Sequence, residues 1–126
     1  MAVNIVNVAD IAGKTDTLQL SASMQPICTC LANEVRKVNA LYVSNIDNTE
    51  AIAVRVAIKD ATNQSGDKAS PDGYYFLCYD LSVPKGATID VISKSVYLEE
   101  SDTLELLSGK SDALSAVCSY EIIKQA

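Results

Sequence analysis

The chain contains no histidine, so the commonest general base of enzymes is missing. A nucleophilic serine or cysteine therefore has no imidazole partner to activate it. The glycines are few and scattered, and their spacing matches neither the dinucleotide-binding motif nor the P-loop. We therefore expect a protein that is not an enzyme, with no catalytic residue and no cofactor.

Carboxylates are the groups that could still support acid–base chemistry or bind calcium. Glu99, Glu100 and Asp102 lie together after a short strand, where a turn is expected. The twelve-residue calcium-loop pattern is absent, and a glycosidase would need two carboxylates in a cleft. We interpret the group as a solvated acidic turn.

The chain also has only four cysteines: Cys28, Cys30, Cys78 and Cys118. Without histidine, and with Cys-x-Cys in place of the usual Cys-x-x-Cys turn, the pattern predicts no metal site. The favoured interpretation is four reduced cysteines that pack as small hydrophobic residues, with a disulfide as the alternative.

Basic residues are scarce as well. Ten lysines and arginines stand against sixteen acidic residues, which gives a net charge of −6. Nucleic acid and anionic membranes both need a concentrated positive surface, and the longest basic cluster is Arg36-Lys37. No apolar run approaches the ~20 residues of a membrane span, and the N-terminus lacks the pattern of a secretory signal. We therefore expect neither nucleic acid nor a membrane as partner.

Alternating hydrophobic residues are abundant, and they predict β-strands. The clearest run is 51–59, where Ile52, Val54, Val56 and Ile58 alternate with small or charged residues. Similar runs recur along the 126 residues at spacings of 8–12, separated by turn-forming residues. The pattern predicts one all-β domain, an antiparallel sandwich of about eight strands with a jelly-roll or immunoglobulin-like topology. The strands 38–44 and 51–59 are predicted to form a hairpin around the Asn/Asp-rich loop 45–50.

The N-terminal segment 1–12 has two interpretations. It is rich in β-prone residues, and Gly13-Lys14 separates it from the predicted sandwich domain, residues 13–126. It is either an edge strand of that domain or an extended arm that adds a strand to a neighbouring sheet. Its apolar residues are candidate contacts with another protein: Val3, Ile5, Val6, Val8 and Ile11.

Two further features are candidates for protein contact. The polar stretch 60–73 is long for a loop in a compact domain, and it carries Asp67 and Lys68. The aromatic run that follows is predicted to place Tyr74 and Phe76 on one face of a strand, with Tyr75 and Tyr79 on the other. One pair is expected in the core, and the other is either an exposed contact patch or a cross-strand pair without function.

Several segments in this order resemble small structural proteins of marine tailed phages, the cyanophage group among them. The resemblance spans nearly the whole chain, and it consists of strand and turn patterns. The segments that carry it are 4–8, 13–15, 41–47, 75–77, 83–88, 96–104 and 118–122.

This resemblance implies a virion protein that is assembled in the host cytoplasm. It implies a capsid decoration or cement subunit that bridges neighbouring copies of the major capsid protein, or other virion proteins. Self-association is expected, with a trimer suggested by the three-fold positions of such particles. The alternative is a tail, neck or fibre component that binds a receptor or a glycan. In that case Tyr75 or Tyr79 should be exposed in a concave site.

Overall fold

The computed structural model describes residues 8–60 and 73–125. These residues contain no helix, and hence none that is long and apolar enough to cross a membrane. They form nine β-strands: β1 (Val8–Gln19), β2 (Gln25–Thr29), β3 (Glu34–Asn45), β4 (Ile52–Lys59), β5 (Tyr74–Val83), β6 (Thr88–Asp90), β7 (Val96–Leu98), β8 (Thr103–Ser108) and β9 (Leu114–Gln125).

The strands form two antiparallel sheets, as predicted for a β-sandwich. The larger sheet has the order β1-β9-β3-β6, with β7 also paired to β3, and the smaller has the order β2-β8-β4-β5. The first strand thus pairs with the last, β2 with β8, β3 with β6 and β7, and β4 with β5. This nested pairing is the wrapping of a jelly roll, and it decides between the two predicted topologies.

The inward faces of the two sheets form one hydrophobic core. Ile52, Val54 and Val56 of β4 are buried, which confirms the period of two read from the sequence. Among the described residues, the largest fully buried side chain is Tyr120 of β9. Because the chain has no tryptophan and one phenylalanine, branched aliphatic residues fill most of this space.

The predicted hairpin between 38–44 and 51–59 is wrong, because β3 and β4 belong to different sheets. Asn45 holds the crossover in place. Its side-chain amide donates to the carbonyl oxygens of Glu50 and Val83, each at 2.9 Å, and its side-chain oxygen accepts from the N–H of Asp47 at 2.8 Å. An Asn/Asp-rich loop thus connects the two layers of the sandwich instead of turning back within one of them.

The expected separation at Gly13-Lys14 is also wrong. Strand β1 runs without interruption from Val8 to Gln19, and Gly13 pairs with Glu121 in the middle of it. Residues 8–12 therefore lie in an edge strand, whereas residues 1–7 lie outside the described residues. The base of the predicted 60–73 loop is closed by a hydrogen bond from the Asp60 N–H to the Gly73 carbonyl at 3.0 Å.

Candidate functional site

Strand β1 presents a regular, unpaired backbone edge. On one side it pairs with β9, and no other described strand pairs with its opposite side. The register is continuous from Asp10↔Lys124 to Gln19↔Ser115, and just beyond it the Leu20 N–H donates to the Leu114 carbonyl at 2.9 Å. Hydrogen-bonded pairs alternate along an antiparallel ladder. The N–H and C=O groups of Gly13, Thr15 and Thr17 therefore point away from β9 and are available to another strand.

The side chains of β1 carry charges of both signs. Asp10, Lys14 and Asp16 share the face of the strand that is directed toward the smaller sheet. Lys14 Nζ lies 4.0 Å from Asp16 Oδ1. Charges on an edge strand oppose indiscriminate strand pairing, so a strand that adds here must match them.

Among the described strands, β5 is one of the two edges of the smaller sheet, and its backbone is irregular. Its register with β4 shifts twice, between Val54 and Val56 and again between Val56 and Ala57. Asp80 adopts a φ of 57°, in the left-handed region. Such bulges bend an edge strand and redirect its side chains, which blocks simple addition of a further strand.

The bulges bring two aromatic rings together on the outer surface. Phe76 and Tyr79 meet edge to face with ring centroids 5.0 Å apart. The guanidinium carbon of Arg55 lies 3.9 Å from the centre of the Tyr79 ring. Arg55 also donates to both carboxylate oxygens of Asp80, at 2.7 and 3.2 Å, and thereby lowers the pKa of that carboxyl. We call Arg55, Phe76, Tyr79 and Asp80 the aromatic surface.

This arrangement contradicts the predicted faces of the aromatic run. Tyr79 lies beside Phe76 and is 59% exposed, whereas Tyr75 is half-buried opposite Ile58. A strand without bulges would have placed Tyr75 and Tyr79 on the same face. The extra residues in β5 shift the alternation between them.

A shallow groove of about 270 Å³ runs next to β5, between the edges of the two sheets. Leu77 forms one wall, and residues 91–96 form the other. Neither Tyr75 nor Tyr79 lines it, so this groove is not the concave aromatic site expected of the glycan-binding alternative.

At the β1–β2 side of the sandwich, polar groups continue into the interior. The Tyr120 hydroxyl donates to Asp16 Oδ2 at 2.5 Å, and Arg36 Nη1 approaches the same hydroxyl at 3.5 Å. Arg36 Nε lies 2.5 Å from Glu34 Oε2, with both side chains almost fully buried. Burial, together with Asp16, raises the pKa of Tyr120. These four residues form a polar chain across the inner face of the larger sheet, in which Glu34, Arg36 and Tyr120 are buried and Asp16 is partly exposed.

The described cysteines are all free, and the thiols of Cys28 and Cys30 contact polar groups in addition to the apolar packing that was predicted. Cys28, Cys30 and Cys118 are buried, and Cys78 is half-buried. Cys28 Sγ lies 3.9 Å from Arg36 Nη1, and the Cys30 thiol donates to the Glu34 carbonyl at 3.2 Å. Within the described ranges, no three histidine, cysteine or carboxylate side chains are grouped so as to hold a metal ion.

The predicted contact residues are divided between the described and undescribed parts of the chain. Val8 is half-buried and Ile11 is exposed, both at the start of β1. Val3, Ile5, Val6, Asp67 and Lys68 lie outside the described residues, so their roles stay predictions. Sequence reasoning missed Arg55 and Phe76 as partners of Tyr79. The alternating pattern of β4 places Arg55 on the outer face, and this position could have marked it as a contact of an exposed aromatic residue.

Comparison with known proteins supports the fold and gives no family. No protein-family model matches the chain. No curated protein matches it either.

Solved structures do match. A subunit of the Bacillus endospore appendages, described as a novel family of disulfide-linked pili, aligns with a TM-score of 0.50 at 13% identity over 92% of this chain and 87% of that one. Two structures of a pentameric capsid protein isolated from metagenomic phage sequences align at 16% identity over 98% of this chain, with TM-scores of 0.40 and 0.38. The chain spans 64% and 65% of their length. None of these matches names a marine phage, so that part of the resemblance finds no support.

Proposed function

We propose that this protein is a non-enzymatic structural subunit of a tailed-phage particle, and that it joins copies of itself or other particle proteins through the outer edge of β1. The observation that carries the proposal is the regular β1 edge, where Gly13, Thr15 and Thr17 direct backbone groups away from β9. An added strand satisfies those groups by main-chain hydrogen bonds. The likeness of the sequence to virion proteins supports the same role.

Within that role, the protein is a decoration or cement subunit on the capsid that binds the major capsid protein. Many weak, identical contacts on a symmetric shell give strong overall attachment without tight single bonds. The net charge of −6 agrees with a protein partner rather than with nucleic acid.

The β1 contact is tested by a proline at Thr15. The Thr15 N–H points away from β9, so Thr15→Pro removes a group that only an added strand would use and leaves the β1–β9 ladder intact. Thr15→Val is the matched control because it keeps the N–H. We expect Thr15→Pro to weaken self-association or particle binding at least tenfold, measured by analytical ultracentrifugation and by co-sedimentation with particles.

Thermal unfolding of both variants shows whether each one folds. If folded Thr15→Pro protein associates as well as Thr15→Val, the β1 edge is not the contact.

The location is tested by the copy number of this protein in purified virions, measured by quantitative mass spectrometry against the major capsid protein. A ratio of the same order supports decoration of the shell. A ratio of a few per cent moves the protein to the tail, neck or fibre, and absence from particles contradicts the virion role.

A receptor-binding role is the second candidate, and the aromatic surface favours it. Tyr79 is 59% and Phe76 44% exposed, beside the paired charges of Arg55 and Asp80. Sugar faces stack on exposed aromatic rings. Binding to host-surface polysaccharide that is lost in Tyr79→Ala but kept in Tyr97→Ala, a substitution of another exposed tyrosine, would support this candidate. Equal binding by both variants would reject it.

A further inference from the structure

Strand β1 carries two opposite charges beside its unpaired edge. The side chains of Lys14 and Asp16 are 56% and 35% exposed, and their neighbours across the ladder on β9 are the uncharged Tyr120 and Cys118. The Tyr120 hydroxyl donates to one carboxylate oxygen of Asp16, and the other oxygen lies 4.0 Å from Lys14 Nζ. A cation and an anion, two residues apart, are thus presented where another strand can add.

The backbone of this edge sets how an added strand pairs with it. Gly13, Thr15 and Thr17 direct their N–H and C=O groups away from β9. In an antiparallel ladder such residues form the hydrogen-bonded pairs, and the residues between them form the closer, non-hydrogen-bonded pairs. Lys14 and Asp16 therefore occupy the positions where side chains of opposite strands lie nearest to each other.

We infer that the partner of this edge is β1 of a second copy of the same chain, paired antiparallel about a two-fold axis through Thr15. This assignment rests on the proposed function, because it takes the β1 edge as the contact and names its occupant. A two-fold contact uses the same surface of both copies, so each pair of residues occurs twice. The larger sheets of the two copies become one continuous sheet.

The charges match when Thr15 pairs with its own copy. Paired residue numbers in an antiparallel ladder have a constant sum, so Lys14 then lies opposite Asp16 of the second copy, and Asp16 lies opposite Lys14. The four charges alternate in sign both along and across the two strands. Opposite charges on directly opposed residues stabilise a strand pair, whereas like charges destabilise it.

The pairing uses the regular part of β1. With Thr15 at the centre it runs from Ile11 to Gln19, which lie opposite each other in the two copies. This stretch begins after the register shift between Val8 and Asp10. Its unpaired backbone groups therefore alternate without a break along the whole length of the contact.

Registers close to this one bring like charges together. Pairing centred on Lys14 places two lysines opposite each other, and pairing centred on Asp16 does the same with two aspartates. Pairing centred on Gly13 places Asp10 opposite Asp16. Each of these registers is opposed by repulsion that occurs at a non-hydrogen-bonded position.

Two further registers leave a charge unmatched. Pairing centred on Ala12 places Asp16 opposite Val8, and pairing centred on Thr17 places Asp16 opposite Leu18. A carboxylate then faces an apolar side chain in both copies. The charge pattern thus favours one register and disfavours its neighbours, which is how an edge strand accepts one partner and rejects others.

The test compares self-association of the full wild-type chain with that of two charge variants. Lys14→Glu opposes a glutamate to Asp16 twice, and Asp16→Lys opposes a lysine to Lys14 twice. Each variant alone should therefore dimerise at least about tenfold more weakly than the wild type. Mixed in equal amounts, the two variants restore opposite charges at every position and should form a heterodimer. Analytical ultracentrifugation measures the association, and native mass spectrometry identifies the heterodimer.

Two results would overturn the inference: a wild-type chain that stays monomeric at every concentration, or a mixture that associates no better than the separate variants. If Thr15→Pro still weakens particle binding in that case, the β1 edge binds another protein and the proposed function stands. If Thr15→Pro has no effect either, the proposed function fails as well.

Cross-linking tests the register without the charge variants, should either fail to fold. Thr15→Cys places two cysteines in a hydrogen-bonded pair at the two-fold axis, where the Cα atoms are about 5.5 Å apart and a disulfide can form. Thr17→Cys is the matched control, because Thr17 is also exposed but its two copies would be more than about 13 Å apart.

Under air with a copper catalyst, Thr15→Cys should give a covalent dimer and Thr17→Cys should not. Peptide mapping by mass spectrometry separates the introduced disulfide from reactions of the four native thiols. Any other pattern, including cross-linking of both variants or of neither, would overturn the two-fold pairing through Thr15.

Discussion

Strand β1 is an edge of the larger sheet and β5 is an edge of the smaller one. The two strands limit unwanted pairing with further strands in different ways. β1 keeps a regular register with β9 beyond its first residues and protects its edge with charges of both signs. β5 is bent by two bulges and displays aromatic rings on its outer surface. The β1 edge thus offers backbone groups for the strand addition proposed above, whereas the β5 edge offers side chains.

The ion pairs near these two edges also differ, in how far their side chains are exposed to water. Arg36 and Glu34, near β1 and β2, are 11% and 5% exposed, whereas Arg55 and Asp80, on β4 and β5, are 32% and 51% exposed. Burial removes the screening by water that weakens an ion pair. Three variants test whether buried groups on the β1–β2 side contribute more to the free energy of unfolding than exposed groups on the β5 side.

The largest effect is expected from Arg36→Ala. The substitution leaves the buried Glu34 carboxylate without its charged partner, which typically costs about 3–5 kcal/mol of unfolding free energy. Urea unfolding monitored by circular dichroism measures the change. The matched control is Arg55→Ala on the β5 side, which should shift the midpoint far less. Equal losses in the two variants would contradict the comparison.

An intermediate effect is expected at alkaline pH. The pKa of Cys30 rises from its usual value near 9 to about 11 because the folded protein buries the thiol beside Glu34. The unfolded chain then releases this proton before the folded chain does, so stability is complete below pH 9 and declines as the pH rises toward 11. This contribution is at most about 3 kcal/mol.

Cys30→Ser should reduce the loss of unfolding free energy that the wild type shows between pH 8 and pH 11. Other groups titrate in the same range, so the difference between variant and wild type is the quantity to compare. Parallel curves for the two proteins would show that Cys30 does not contribute.

The smallest effect on stability is expected from Tyr79→Ala on the aromatic surface. The ring is mostly exposed, so its removal should change the unfolding free energy by no more than about 0.5 kcal/mol. Thermal unfolding beside Tyr97→Ala checks this value. A large loss of stability would mean that the aromatic surface holds β5 in place and is not free for a partner.

The composition and the period-two pattern correctly predicted an all-β sandwich, and the strands predicted at 38–44 and 51–59 correspond to β3 and β4. Burial of Ile52, Val54 and Val56 followed directly from their alternation. The interaction sites were harder to predict. The prediction that Tyr75 and Tyr79 share a face was wrong because a bulge adds a residue on one strand only, and no pattern within that strand marks the bulge.

The class of structure followed from the order of residues alone, because alternation favours strands over helices and the missing histidine excludes the commonest catalytic pairs. Which strands meet was decided only by the tertiary structure. Asn45 fixes the crossover from one sheet to the other, and the contact of Arg36 with Tyr120 joins residues that are 84 positions apart in sequence. The physical reason is that a pattern records which face of a strand is apolar, whereas pairing depends on how all the strands pack together.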